Sequence, residues 1–220
     1  MTQSSNKGLL IGTITVATLI FLGLIWAVLS VPSDSGIDDA LPGGEVSFND
    51  ENDPSVGPED ASVVVRLFED LQCPACKASN PAVHYAMEKY SDRVRFIWND
   101  FPLQSIHKNA RSAANAARCA EEQGKFWEYK ETLYAEQSSW ANTFDLEESF
   151  AAYAGQLELN VDEFRTCYQE RRHDSKVAAD ISESGRNRVN STPTIFINDV
   201  KRNGLSPTEW DAILGAALAE

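Results

Sequence analysis

Phe68-Glu69-Asp70-Leu71-Gln72-Cys73-Pro74-Ala75-Cys76-Lys77 joins a hydrophobic, β-branched run, Val63-Val64-Val65-Arg66-Leu67-Phe68, to a helix-like stretch that opens at the first cysteine. Two cysteines separated by two residues at a strand-to-helix junction have the pattern of a dithiol/disulfide redox centre. A helix N-terminus presents unpaired backbone N–H groups and a partial positive charge, so it favours a thiolate on Cys73 over the thiol. Pro74 suits the first turn, where its missing donor is not needed. Cys76 then lies one turn on, placed to attack a mixed disulfide at Cys73. That makes Cys73 the nucleophile and Cys76 the resolving thiol.

The competing reading of the pair is half of a zinc site, which needs about four ligands and usually a second closely spaced pair. Cys119 and Cys167 stand alone and far apart in sequence. None of His84, His107 and His173 lies at finger-like spacing from a cysteine. No metal and no cofactor is therefore expected.

The 220 residues carry a net charge of −14, unevenly spread. Residues 32–60 hold nine acids and no Lys or Arg; removing that −9 and the +1 of Lys7 leaves −6 for residues 61–220. The basic footprint of nucleic-acid binding is missing. Gly8–Val31 is 24 residues without a charged side chain, rich in Leu, Ile and Val, with Trp26 towards its far end. That length spans a bilayer as a helix and exceeds the apolar core of a cleaved signal peptide, so residues 8–31 read as a single transmembrane anchor in contact with lipid. Lys7 on one side and only acids on the other orient residues 1–7 to the cytoplasm and export the remainder. The acidic, Pro/Gly/Ser-rich segment 32–60 reads as a flexible tether.

From Ala61 the pattern becomes that of a folded domain. Ser62–Phe68 suits a buried central strand. A helix follows Cys76 and is predicted to kink at Pro81. Arg93–Trp98 alternates charged and apolar residues as a second strand, completing a strand–helix–strand unit with parallel pairing. Residues 105–185 read as almost wholly helical, with segments 105–123, 126–137, 146–154, one opening at Asn160, and 174–185. Thr194–Asn198 is a strand preceded by Thr192-Pro193, and 198–204 a turn leading to a short edge strand. Ser206-Pro207-Thr208-Glu209 is a capping box that opens a C-terminal helix.

A strand, C-x-x-C on a helix, a helical insertion, then Thr-Pro leading an Ile-Phe-Ile strand resembles the thioredoxin-fold superfamily, and within it the membrane-tethered DsbA-like thiol–disulfide oxidoreductases. The motifs that carry this are Phe68–Cys76, Phe101-Pro102-Leu103, Cys119-Ala120-Glu121-Glu122-Gln123-Gly124-Lys125-Phe126-Trp127 and Ser191-Thr192-Pro193-Thr194. The resemblance implies an α/β thioredoxin-like domain over 61–104 and 186–220, with an all-helical domain inserted at 105–185. It also implies a cis Pro193 facing the Cys73 sulfur, and a Thr192 backbone free to pair with an extended substrate peptide.

Two departures stand out. The position six residues before the first cysteine, where relatives carry a buried proton-relaying acid, is Leu67; Glu69 or Asp70 is left to substitute. The dipeptide between the cysteines, Pro74-Ala75, offers no side-chain donor, so a less oxidising couple than that of the strongest relatives is expected. As in some relatives, Cys119 and Cys167 are expected to form a structural disulfide, worth about 4 kcal/mol in chain-entropy terms.

The resemblance implies a protein dithiol oxidase that acts on unfolded or partly folded proteins and is reoxidised by a quinone-linked membrane partner. The alternatives are a reductase or isomerase fed by a membrane thiol carrier, or a non-catalytic peptide-binding holdase. The catalytic domain would lie outside the cytoplasm, in the periplasm or at the cell exterior.

Overall fold

The computed structural model describes residues 46–219. Its core is a five-stranded sheet in the order β1-β3-β2-β4-β5, from β1 (Ser55–Val56), β2 (Val63–Glu69), β3 (Val94–Asp100), β4 (Thr194–Ile197) and β5 (Val200–Arg202). β2 and β3 are parallel, with Val63 opposite Val94 and Glu69 opposite Asp100. The connection between them is helix α1 (Pro74–Tyr90), which runs through Pro81 as one helix and buries Val83, Ala86 and Tyr90. β4 pairs antiparallel with β2, and β5 and β1 are antiparallel edges.

Alternation along β2 explains its central place: Val63, Val65 and Leu67 join the main core, while Phe68 turns to the opposite face. Side chains on a strand point alternately to the two faces, so both layers are anchored by one strand. Gly57 follows β1 at φ 106°, where a Cβ would fall 2.1 Å from the Val94 carbonyl oxygen; only glycine allows β1 to leave the sheet there.

Between β3 and β4 lie six helices: α2 (Ala110–Glu121), α3 (Phe126–Ala135), α4 (Gln137–Trp140), α5 (Leu146–Gln156), α6 (Val161–Gln169) and α7 (Asp174–Arg186). Six buried alanines on α2 let neighbouring helices approach closely. Tyr129, Trp140, Phe150 and Phe164 fill the centre of the bundle. Cys119 on α2 and Cys167 on α6 are joined by a disulfide. The Asn160 side chain accepts from the N–H groups of Asp162 and Glu163 and caps α6. The C-terminal helix α8 (Pro207–Ala217) opens with the capping box of Ser206 and Glu209 and buries Trp210 and Leu214. The predicted helix from 105 begins only at Ala110, because residues 103–107 instead turn back to bond Asp70.

The expected boundary of the flexible tether at residue 60 is too late. Residues 46–60 belong to the folded unit: Phe48 packs edge-on against Phe196 and beside Phe68, with Arg66 over its ring. Ser47 and Asn49 donate their N–H groups to Asn187 and Glu183 of α7 and its C-cap, and β1 adds to the sheet. The acids there are not a self-repelling run. Asp50 takes a two-pronged hydrogen bond from Arg66 at 2.7 and 2.6 Å. Asp53 is buried against Arg118 and Lys176. Composition treated these acids as solvated because their cations lie far along the chain. The expected anchor 8–31, residues 1–7 and the rest of the tether lie outside the described residues. Among the described residues no helix is long and apolar enough to cross a membrane.

Arg118, 1% exposed, ties these parts together. Its guanidinium donates to Asp100 (2.7 Å), Asp53 (2.8 Å), Asp180 (2.8 Å) and the Asn52 carbonyl (2.7 Å). It thereby fastens the N-terminal segment, the end of β3 and α7 to α2. Burial, reinforced by the neighbouring carboxylates, pushes Asp180 up to about 7 despite Arg118 and Lys176.

Arg118→Leu removes the cation shared by three buried aspartates and leaves Lys176 to only two of them, so urea unfolding should show a loss of about 3–5 kcal/mol. A carboxyl raised in the folded state stays protonated while its unfolded counterpart ionises, so it costs stability as pH climbs from its ordinary 3.8 to about 7. Asp180→Asn should therefore flatten the fall in stability measured across that pH window.

Candidate active site

Cys73 is the N-cap of α1, with φ −71° and ψ 123°, and Pro74 is the first helical residue. No side chain caps this helix, which leaves the first-turn N–H groups to the sulfur. The thiol of Cys73 is lowered to about 5, chiefly by a hydrogen bond from the Cys76 thiol, then by the Thr192 side chain and the N–H groups of Cys76 and Ala75; burial opposes all of these. Cys76 moves the other way, far above the ordinary thiol range. Its burial dominates, followed by its bond to Cys73 and the charge of Glu69. Both cysteines are free, so the site holds a dithiol. One proton is easily lost from Cys73 and the other is held on Cys76.

The sheet register brings the second half of the site into place. Thr194 pairs with Phe68, so the residues before β4 run past the end of β2, beside Cys73. There the Thr192–Pro193 peptide is cis, and the thiol form of Cys73 donates to the Thr192 carbonyl oxygen at 3.7 Å. The buried Thr192 hydroxyl has no other hydrogen-bond partner among the described residues. It is left to donate to the thiolate.

Of the two acids expected near the cysteines, the structure separates the roles. Glu69 is 1% exposed at the end of β2 and accepts from the Tyr134 hydroxyl at 2.6 Å; its second oxygen is buried without a partner. Burial raises its carboxyl above the usual range, against the opposing charge of Lys130 and the Tyr134 bond. Its charge acts on Cys76 and helps to hold the proton on that thiol. Asp70 is buried with both oxygens occupied. It accepts from Gln72 N–H (2.7 Å), Leu103 N–H (2.9 Å) and His107 Nδ1 (2.7 Å). Asp70 holds the junction together rather than sitting free beside the thiols. Leu67, at the relay position of relatives, is a core residue.

Several contributors were not visible in the sequence. Gln137 on α4 donates to the carbonyls of Leu71 (2.8 Å) and Cys73 (3.1 Å). Gln72 donates to the Ala141 carbonyl and accepts from Asn109 N–H. Lys130 on α3 is fully buried, bonded to Asn80 at 2.7 Å, with Trp98, Trp127 and Tyr134 rings 5.5–5.7 Å from its ammonium. Each is hydrogen-bonded to a partner at least 37 residues away in sequence, and each reads locally as an ordinary helix or loop residue. Among the described residues, Cys73 and Cys76 belong to no cluster of three or more metal-ligating side chains.

Thr192→Val removes a donor to the thiolate, so the pH profile of iodoacetamide alkylation should place Cys73 above its value of about 5. Gln137→Leu leaves the buried Leu71 carbonyl unpaired and should lower stability by about 1–3 kcal/mol in urea.

A family model described as Thioredoxin matches residues 49–216. The chain is 26% identical over 202 residues to the probable disulfide bond formation protein D of Bacillus anthracis, covering 89% of this chain and 90% of that protein. It is also 30% identical over 226 residues to the Na(+)/H(+) antiporter NhaA 3 of Salinispora tropica; the match takes in 99% of this chain but only 33% of that protein. The chain thus spans about a third of the length of such antiporter relatives. Among solved structures, oxidised BdbD from Bacillus subtilis superposes with a TM-score of 0.69 at 24% identity, over 80% of this chain and 97% of that one. With its C-x-x-C at the head of α1, its cis-proline loop and its helical insertion, the chain belongs to the thioredoxin family.

Proposed function

We propose that the chain is an exported, membrane-tethered thiol–disulfide oxidoreductase that works as a dithiol oxidase on unfolded or partly folded proteins. The observation that carries this is the split between Cys73, lowered to about 5, and Cys76, raised beyond the thiol range. A stabilised thiolate favours the reduced enzyme and so makes its disulfide the better electron acceptor.

In the oxidising turnover a substrate thiolate attacks Cys73 of the Cys73–Cys76 disulfide. The S–S bond breaks, and Cys76 leaves and is protonated, with Glu69 as the adjacent proton donor. A second substrate thiolate attacks the substrate sulfur of the mixed disulfide, forming the substrate disulfide and releasing Cys73 as a thiolate. Two electrons pass from substrate to enzyme. The Thr192 carbonyl, beside Cys73 at the open end of β4, is positioned to pair with an extended substrate backbone. Reoxidation would pass the two electrons on to a quinone-linked membrane partner and re-form the Cys73–Cys76 disulfide. Export and tethering are supported by the apolar run 8–31, and by the Cys119–Cys167 disulfide, which fits an oxidising compartment.

The decisive measurement is the redox equilibrium of the full chain, solubilised in detergent, against glutathione, read by alkylation in a Cys119→Ser/Cys167→Ser background. A couple between about −120 and about −180 mV is expected for an oxidase; a value near about −270 mV would instead make it a reductase. Cys76→Ser should accumulate a mixed disulfide with substrate, and Cys73→Ser should form none. The sign of the pH effect is also set. A thiol lowered in the folded state stabilises it increasingly as pH rises from about 5 towards the ordinary value of 9.0, and the oxidised form has no such thiolate. The stability of the reduced form relative to the oxidised form should therefore grow over that window, as read by paired thermal unfolding curves.

A further inference from the structure

The second cysteine pair carries chemistry that the redox site does not use. Cys119, Cys167 and His173 bring two sulfurs and an imidazole nitrogen within 4.8 Å of one another. Both cysteines are 1% exposed, on α2 and α6, and His173 is the N-cap of α7, only partly exposed. The imidazole is held from outside: its Nε2 lies 2.9 Å from Glu122 Oε1, and Arg172 donates to the other Glu122 oxygen at 2.7 Å. The backbone N–H of His173 donates to the Asn115 side-chain oxygen at 3.2 Å. A carboxylate that fixes a histidine ring is the usual outer support of a metal-binding imidazole. A cavity of about 560 Å³ lined by Glu122, His173 and Lys176 opens the imidazole side to solvent.

We infer that Cys119, Cys167 and His173 form a redox-gated site for a borderline divalent cation such as Zn²⁺, closed while the disulfide stands and opened by its reduction. The gating is a matter of ligand chemistry. Disulfide sulfurs carry no charge to bind zinc, whereas two thiolates and an imidazole are preferred zinc ligands. An external dithiol supplies the two electrons: the Cys119–Cys167 bond breaks, each sulfur takes a proton, and the dithiol becomes a disulfide. The cation then displaces one proton from each thiol. Tetrahedral bonds of about 2.3 Å to sulfur set the two sulfurs about 3.8 Å apart, close to ordinary sulfur–sulfur contact, so the helices need only relax to admit the ion. Water would complete the tetrahedron as the fourth ligand, and Glu122 keeps its place behind the ring. The site is remote in sequence from Cys73 and Cys76 and does not depend on which direction they work.

The test uses the full chain carrying Cys73→Ser and Cys76→Ser, so that the redox pair contributes no thiolate. Oxidised and phosphine-reduced samples are equilibrated with Zn²⁺, desalted and assayed for metal; Co²⁺ replaces zinc to report sulfur-to-cobalt charge transfer. One zinc per chain is expected in the reduced sample and none in the oxidised one. His173→Ala should weaken zinc binding at least tenfold, and Glu122→Gln by about tenfold. Equal retention by oxidised and reduced protein, or unchanged affinity in His173→Ala, overturns the proposal. Circular dichroism covers the case in which reduction unfolds the chain. Refolding on addition of zinc supports the site, since structural zinc sites couple binding to folding. A reduced chain that stays unfolded and takes up no zinc overturns it. Should His173→Ala itself fail to fold, alkylation decides instead: zinc must protect Cys119 and Cys167 in the chain that retains His173, and absence of protection overturns the proposal.

Discussion

The antiparallel register that sets Thr194 against Phe68 governs the rest of the site. It places the Thr192–Pro193 turn beyond the end of β2, at the height where the chain caps α1 with Cys73. A one-residue slip would turn every side chain of β4 to the other face. Ile195 would then leave the main core, and Phe196 would leave the aromatic cluster it shares with Phe48 and Phe68. The burial of those side chains on both faces of the sheet therefore keeps a carbonyl 3.7 Å from a reactive sulfur. Hydrophobic packing supplies the precision, and the helix N-terminus supplies the charge stabilisation.

Two buried polar groupings serve opposite ends. Around Arg118 the charges face close partners: three aspartates from three parts of the chain converge on one guanidinium, and the result is a fastening. Beneath Cys76 the balance is left incomplete. Glu69 has one satisfied oxygen and one bare one, with Lys130 near enough to act on its charge but bonded elsewhere. A carboxyl in that condition changes protonation more readily than one locked in an ion pair. The same low-dielectric interior thus gives stability in one place and a carboxyl raised above its usual range in the other.

The helical insertion is more than a cover. Tyr134 and Lys130 from α3 set the environment of Glu69, and Gln137 from α4 holds the carbonyls that flank the motif. Asn109, just before α2, donates to the carbonyls of Trp140, Ala141 and Thr143, which fixes the loop that Gln72 also grips. Every residue of the redox motif from Glu69 to Cys73 is bonded to, or packed among, groups of the insertion or of the loop leading into it.

The sequence by itself determined the elements whose cause is local. A β-branched run made β2, proline after a cysteine made the head of α1, and Ser206-Pro207-Thr208-Glu209 made the start of α8. The C-x-x-C spacing marked the reacting atoms, because one helical turn is a property of the backbone. Tertiary structure decided what depended on partners far along the chain. Residues 46–60 looked like a solvated acidic tether until Arg66, Arg118 and Lys176 were brought to them. Glu69 and Asp70 were indistinguishable as neighbouring acids. The alternation of a strand end and the turn after it sent one beneath Cys76, and gave the other three hydrogen-bond donors. Cys119 and Cys167 were isolated letters until α2 and α6 packed together with His173 beside them. Local spacing encodes dihedral angles and caps, whereas the protonation of a buried group is set by whatever the fold places within a few ångströms of it.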